Sequence, residues 1–165
     1  MTARLIAATA GDDVGFGMTR KVLSTQTHGG LCIAEATIHP GHFVPPHVHT
    51  MEDEVTRILS GTLHVVVGDE LHVAHAGAYV LKPRGVMHTF WNAGPEPAVV
   101  IELIAPGTMD HYFADLIALA IDPRRSEEER RTAIERHQER YGVTFDLAKG
   151  EELVRQYGIA VVSPF

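Results

Sequence analysis

The sequence predicts an all-β barrel or sandwich followed by a C-terminal α-helical extension. Three observations carry that expectation. Between residues 31 and 104 short apolar and β-branched runs recur at close spacing, each closed by Gly, Pro or Asn, the punctuation of antiparallel strands and turns. At Pro106-Gly107 the period changes: Met109, Tyr112, Phe113, Leu116, Ile117 and Ala120 fall at i, i+3, i+4, i+7, i+8 and i+11, one stripe of an amphipathic helix. The length, 165 residues, suits one hydrophobic core. The expected division is therefore residues 1–106 for the barrel with an N-terminal strand arm, and 107–165 for helices packed on the barrel or on a partner subunit.

In chain order, Arg4-Leu5-Ile6-Ala7 and Arg20-Lys21-Val22-Leu23 are β-prone pieces separated by the turn-forming Gly11-Asp12-Asp13 and Gly15-Phe16-Gly17. They read as edge strands or an arm. Fuller strands are expected at 31–38, 55–59, 63–67, 71–73, 79–81, 86–91 and 98–104, with Gly68-Asp69 as a hairpin signal. Thr108 is the expected N-cap of the first helix, Asp110 sits favourably in its first turn, and Asp122-Pro123 stops it. Ser126 and Glu129 spell a capping box for a second helix that runs toward Tyr141-Gly142 with a charged, solvated face. A third covers about 151–157 and ends at Gly158.

Composition excludes several functions. A net charge of −7, with basic residues mostly interleaved among acids in the last third, argues against a nucleic-acid groove. No apolar run reaches the roughly 18 residues of a membrane span, and no convincing signal peptide opens the sequence. The single cysteine, Cys32, rules out an internal disulfide and fits a reducing cytoplasm, the expected location. Its apolar setting reads as a small buried hydrophobe rather than a reactive thiol.

The chemistry concentrates in residues 41–54. His47 and His49, two apart on a strand, project from one face, and the residues between His49 and Glu54 allow a bend that returns a carboxylate to that face. Glu52 and Asp53 are the competing acids, but Glu54 lies on the face shared with Thr56 and Ile58. Imidazole nitrogen with carboxylate oxygen suits several divalent transition metals. A further ligand is available in residues 77–92: Pro83 and Gly85 turn the chain into a strand that opens with His88, and Phe90 follows on the same face.

These two stretches resemble the two motifs of the cupin superfamily. The first runs Gly41, five residues, His47, one, His49, four, Glu54, six, Gly61; the second runs Gly77, five, Pro83, one, Gly85, two, His88, three, Asn92. Every specified position is present, and 15 residues, 62–76, separate the motifs. The resemblance implies a double-stranded β-helix (jelly-roll) barrel in which His47, His49, Glu54 and His88 bind one metal, be it Fe, Ni, Mn, Zn, Co or Cu. One motif pair implies a single cupin domain, and homodimerisation is the family expectation. The helical tail with its Tyr-Gly-Val and Tyr-Gly-Ile endings resembles small bacterial proteins grouped with quercetin 2,3-dioxygenases.

Fold alone leaves function open. The leading expectation is a quercetinase-like dioxygenase acting on a small enol or phenol, with Glu54 also accepting the substrate's hydroxyl proton. Phe43, Val44, Thr56, Ile58 and Phe90 are the expected pocket walls. The alternatives are a non-redox isomerase, cyclase or decarboxylase using the metal as a Lewis acid, and a non-catalytic ligand-binding cupin. His39 and His42 fall beside the motif and read as rim residues. His64, His72, His75 and His137 read as solvent-exposed, and Arg57 and Trp91 as pointing away from the metal.

Overall fold

The computed structural model describes residues 4–161 as two antiparallel sheets with three helices at the C-terminal end. The larger sheet has the order β1(Asp12–Gly15), β2(Met18–Val22), β3(Cys32–Ile38), β10(Ala98–Ala105), β5(Asp53–Ser60), β8(Tyr79–Lys82). The smaller has the order β11(Val143–Phe145), β4(Phe43–His49), β9(His88–Trp91), β6(Thr62–Val67), β7(Glu70–His75). Consecutive strands pass between the sheets, β4 to β5 and β8 to β9, which is the double-stranded β-helix.

Alternation builds the core. Along β3 every second residue is buried, and Ala36 and Ile38 meet Ile58, Val80 and Val100 from their own sheet and Leu63, Val65 and Ala74 from the facing one. Such alternation is what an antiparallel sheet with one solvated face requires. The ladder is broken where the sequence demands it. Pro45 and Pro46 have no amide hydrogen to give to β9, and the β4–β9 register slips between Val44 and His47. The slip decides which side chains look inward, as described below.

Residues 4–7 form no strand; the first hairpin instead pairs β1 with β2 across Phe16-Gly17. A strand needs a partner more than it needs propensity, and only the later segment has one.

The helices are α1(Met109–Ala120), α2(Glu127–Arg140) and α3(Leu147–Tyr157). Met109 and Tyr112 of α1 pack with Cys32, Ile104 and Val143 against one end of the barrel. Cys32 is buried there, and burial, with Asp110 nearby, pushes its thiol up to about 12. The Ser126/Glu129 capping box forms in both directions. Thr108 stands at the N-cap of α1 but makes no capping hydrogen bond; its hydroxyl donates to Glu52 instead. Helix α3 begins earlier than residue 151 because Asp146 caps it, accepting from the Lys149 amide at 2.8 Å. Gly150 is the point where α3 crosses β4: a Cβ there would lie 3.2 Å from Pro46 Cδ.

His137 is buried rather than exposed. It stacks on Tyr112 with ring centroids 5.0 Å apart and donates from Nε2 to the Tyr112 carbonyl at 3.0 Å. The three residues 143–145, inside the expected helical extension, form β11 and pair with β4. No helix among the described residues is long and apolar enough to cross a membrane.

Candidate metal centre

Four side chains from the two sheets converge. His47 and His49 come from β4, His88 opens β9 directly opposite His47, and Glu54 comes from β5 in the other sheet. Their ligand atoms all lie within 4.8 Å of one another, and the residues are only 7, 4, 1 and 4 % exposed respectively. Glu54 Oε2 is 3.1 Å from His88 Nε2 and 3.7 Å from His49 Nε2.

Each imidazole is aimed from behind. The carbonyl of Pro45, turned by the break in the ladder, lies 2.8 Å from His47 Nδ1, and the carbonyl of Val86 lies 3.2 Å from His88 Nδ1. Nδ1 then carries the hydrogen, and the Nε2 lone pair faces the cluster. Behind His49 stands Glu52, wholly buried, with Oε2 3.9 Å from His49 Nδ1. The Thr108 hydroxyl holds the other oxygen of Glu52.

Electrostatics match a cation site. Burial, reinforced by His88 and His49, holds His47 well below the ordinary imidazole range, and burial lowers His49 to about 4. Both are therefore neutral at pH 7 with lone pairs available. Burial by itself would raise the Glu54 carboxyl, but the Lys82 ammonium and the nearby imidazoles outweigh it and hold Glu54 ionised. His88 Nε2 is buried without an aligned hydrogen-bond partner, and Glu54 Oε2 has the Lys82 ammonium beside it at 3.0 Å. Unsatisfied buried groups are costly, and neutral nitrogens converging with a carboxylate oxygen are a donor set for a divalent transition metal. The residues present fit such an ion.

The turn Pro83-Arg84-Gly85 fastens the halves together. The Gly85 amide donates to the His49 carbonyl at 2.7 Å. Arg84 clamps Asp53, beside Glu54, through backbone and guanidinium at 2.7 to 3.2 Å, and pulls its carboxyl down to about 2.

Lys82 and Glu102 went unrecognised in the sequence as parts of this centre, and Glu52 was weighed only as an alternative ligand. Lys82 is 2 % exposed, and its Nζ lies 3.0 Å from both Glu54 Oε2 and Glu102 Oε2. The Thr56 hydroxyl donates to the Glu102 carboxylate at 2.9 to 3.0 Å. The signal was present: Glu102 is the lone charge in the apolar run 98–105, in step with the buried Val100 and Ile104.

Of the expected pocket walls, Thr56, Ile58 and Phe90 face the barrel interior, Thr56 engaged with Glu102 and Ile58 sealed in the core. Val44 lies opposite Phe90. Phe43 is a correction: the ladder slip puts it opposite Trp91, and it packs outside the site with Val66, Trp91 and Ile159 beneath α3. Trp91 points away from the ligands, stacked between His64 and Tyr157. His64 is half-buried there, while His72 and His75 are exposed. On the open edge of β4, β11 brings Phe145 opposite His47, their rings stacked at 5.2 Å.

Comparison with known proteins agrees with this fold. Among solved structures, KdgF from Halomonas sp. is 22 % identical, covers 67 % of this chain and 99 % of its own, and superposes with a TM-score of 0.56. A predicted oxalate decarboxylase from Thermotoga maritima is 22 % identical over 53 % of this chain and 77 % of its own, with a TM-score of 0.52. At that identity both speak to the fold. Among curated relatives, germin-like protein 5-1 of Oryza sativa subsp. japonica is 33 % identical over 87 residues, 48 % of this chain and 39 % of that protein. Oxalate oxidase 1 of Hordeum vulgare is 28 % identical over 102 residues, 57 % of this chain and 51 % of that protein. The chain thus spans about half or less of these relatives' length. Residues 34–104 match the cupin domain family, and this segment carries all four converging side chains. By the barrel, the two motifs and that match, residues 34–104 form a cupin domain.

Proposed function

We propose that the protein is a metal-dependent cupin oxidoreductase, a quercetinase-like dioxygenase acting on a small enol or phenol, with His47, His49, Glu54 and His88 holding one divalent transition metal. The observation that carries the reading is the convergence of four buried ligand atoms within 4.8 Å, with His88 Nε2 lacking any aligned hydrogen bond. A metal held by these four side chains would supply Lewis acidity and redox chemistry.

The chain's own residues supply the rest. His47 and His49 bring no charge, and Glu54 brings a negative one. Its ionised Oε2 lies where a hydroxyl presented to the cluster can pass its proton. Thr56 and Phe90 offer a mixed wall with one polar anchor. The burial of the ligands keeps water away, and Phe145 covers His47. The curated relatives named as oxalate oxidases support an oxidative chemistry on this scaffold and add oxalate to the substrates worth assaying.

Elemental analysis of the purified protein, followed by oxygen-electrode assays across flavonols, small diketones and oxalate, tests the reading. One metal per chain and oxygen uptake coupled to substrate loss are expected. Product formation undiminished without oxygen would replace it with the Lewis-acid isomerase, cyclase or decarboxylase reading, and absence of metal after growth in supplemented medium would end it.

A further inference from the structure

The outer face of the larger sheet is apolar where an antiparallel sheet with one solvated face should present polar residues. One row across five strands has no polar member: Val22, Ile33, Leu103, Val55 and Leu81 stand side by side on β2, β3, β10, β5 and β8. The neighbouring row runs Thr19, Glu35, Ile101, Arg57, Tyr79 across the same strands. Both rows alternate with inward-facing core residues such as Ala36, Val100, Ile58 and Val80, so they look outward. Helix α3 covers the outer face of the smaller sheet, whereas on this one Tyr79 and Leu81 are 62 and 60 % exposed. A contiguous apolar patch of this kind marks a contact surface.

The arrangement of charge identifies what it contacts. β10 is the middle of the five strands, with Ile101 and Leu103 on it, and Ile101 is flanked by Glu35 on β3 and Arg57 on β5. Neighbouring strands lie about 4.8 Å apart. A second copy turned through 180° about an axis along β10 therefore sets each Arg57 over the partner's Glu35, and each Ile33 over the partner's Val55. An axis laid across the strands would instead oppose like charges. Within the chain neither charge is fully met. The Arg57 guanidinium lies over the Tyr79 ring at 4.8 Å and donates to its hydroxyl, and it pairs with no carboxylate among the described residues. Glu35 is met by Lys21 at 3.7 Å, and its side chain is 39 % exposed.

We propose that the protein forms a two-fold homodimer through the outer face of the larger sheet, with the axis along β10, the apolar row closed on itself and two Arg57–Glu35 ion pairs across it. Such an interface is isologous and closed, so it stops at two copies. Val55 and Arg57 alternate along β5 with the inward Glu54 and Thr56, so the interface backs the strand that carries one ligand, and each copy keeps its own four-ligand cluster. The inference needs neither the metal nor the reaction and stands apart from the proposed function.

The test measures the mass of the full chain in solution by sedimentation velocity, with circular dichroism to show that each variant is folded. Wild type is expected to be a dimer at micromolar concentration. Arg57→Glu sets carboxylate against carboxylate and Glu35→Lys sets cation against cation, so each should weaken association by at least about 100-fold. The double variant Arg57→Glu/Glu35→Lys should restore it, which a contact through any other surface would not do. Leu81→Glu, at an exposed position, should also give monomer, and it decides the matter should the charge variants fail to fold. Wild-type protein that is monomeric overturns the proposal and leaves the face to a different protein. A dimer that survives Leu81→Glu, or a folded double variant that stays monomeric, overturns it as well.

Discussion

The amide of Gly85 donates to the carbonyl of His49 at 2.7 Å, so the turn that introduces His88 is bonded to the strand that carries the other two imidazoles. Gly85 sits at φ +75 with open space where a Cβ would go. Gly85→Ala is therefore a test of backbone conformation alone. It should cost about 1–2 kcal/mol, a fall of several degrees in thermal midpoint, with metal affinity reduced through misplacement of His88. A midpoint unchanged by the substitution would show that the turn is not under this constraint.

Metal and stability are linked if the site is occupied only in the folded chain. At a free metal concentration about 100 times Kd, binding adds about 2.7 kcal/mol. Chelator treatment should lower the thermal midpoint of wild-type protein and re-addition of metal should restore it. Glu54→Ala and His88→Ala should show neither change.

Glu52 contributes no ligand atom, yet it stands behind His49 with Thr108 holding its far oxygen. At 3.9 Å no hydrogen bond joins the two, so Glu52 backs His49 by position. Glu52→Gln should lower metal affinity by about 10-fold in equilibrium dialysis while leaving stoichiometry at one. Thr108→Val should act in the same direction and more weakly.

What the sequence disclosed followed from local rules. His47 and His49 share a face because strands alternate, and the Ser126/Glu129 box is readable because its partners are three residues apart. What it hid depended on partners far away. Glu102 looks like an interruption of a strand until Lys82 and Thr56 are brought beside it, and His137 looks like one more polar residue on a charged helix until Tyr112 of α1 lies against it. Phe43 was misplaced by one residue of register, since two consecutive prolines break the alternation that the reading relied on. The short strand β11 carries too few residues to show a period, and its identity comes wholly from β4.

Phe145 provides a kinetic prediction. Its ring covers His47, and it is only partly buried. Phe145→Ala should cost about 1–2 kcal/mol of stability from lost apolar burial. It should also accelerate removal of bound metal by a chelator in a stopped-flow assay. Equal stripping rates in the two proteins would show that the ring does not guard the site.

Asp122 contributes to the acid limb. Hydrogen bonds from Arg124, and further from Arg125, hold its carboxyl below the ordinary value of 3.8. A depressed folded-state pKa means stability that is complete above the unfolded pKa and lost as pH falls through the folded one. Asp122→Asn should thus be less stable than wild type at pH 7, with the two proteins converging as the pH falls below about 4. A constant difference across that range would assign the effect to something other than ionisation.

The pairing of β11 with β4 also has a consequence during synthesis. The ligand strand is made early, but the strand that finishes its hydrogen bonding lies nearly a hundred residues later. Until residues 143–145 leave the ribosome, β4 is a free sheet edge, able to recruit strands from other chains. A nascent or truncated chain ending before β11 carries every ligand and an unguarded edge beside them, so the tail is needed to keep the barrel to itself as well as to cover its histidines.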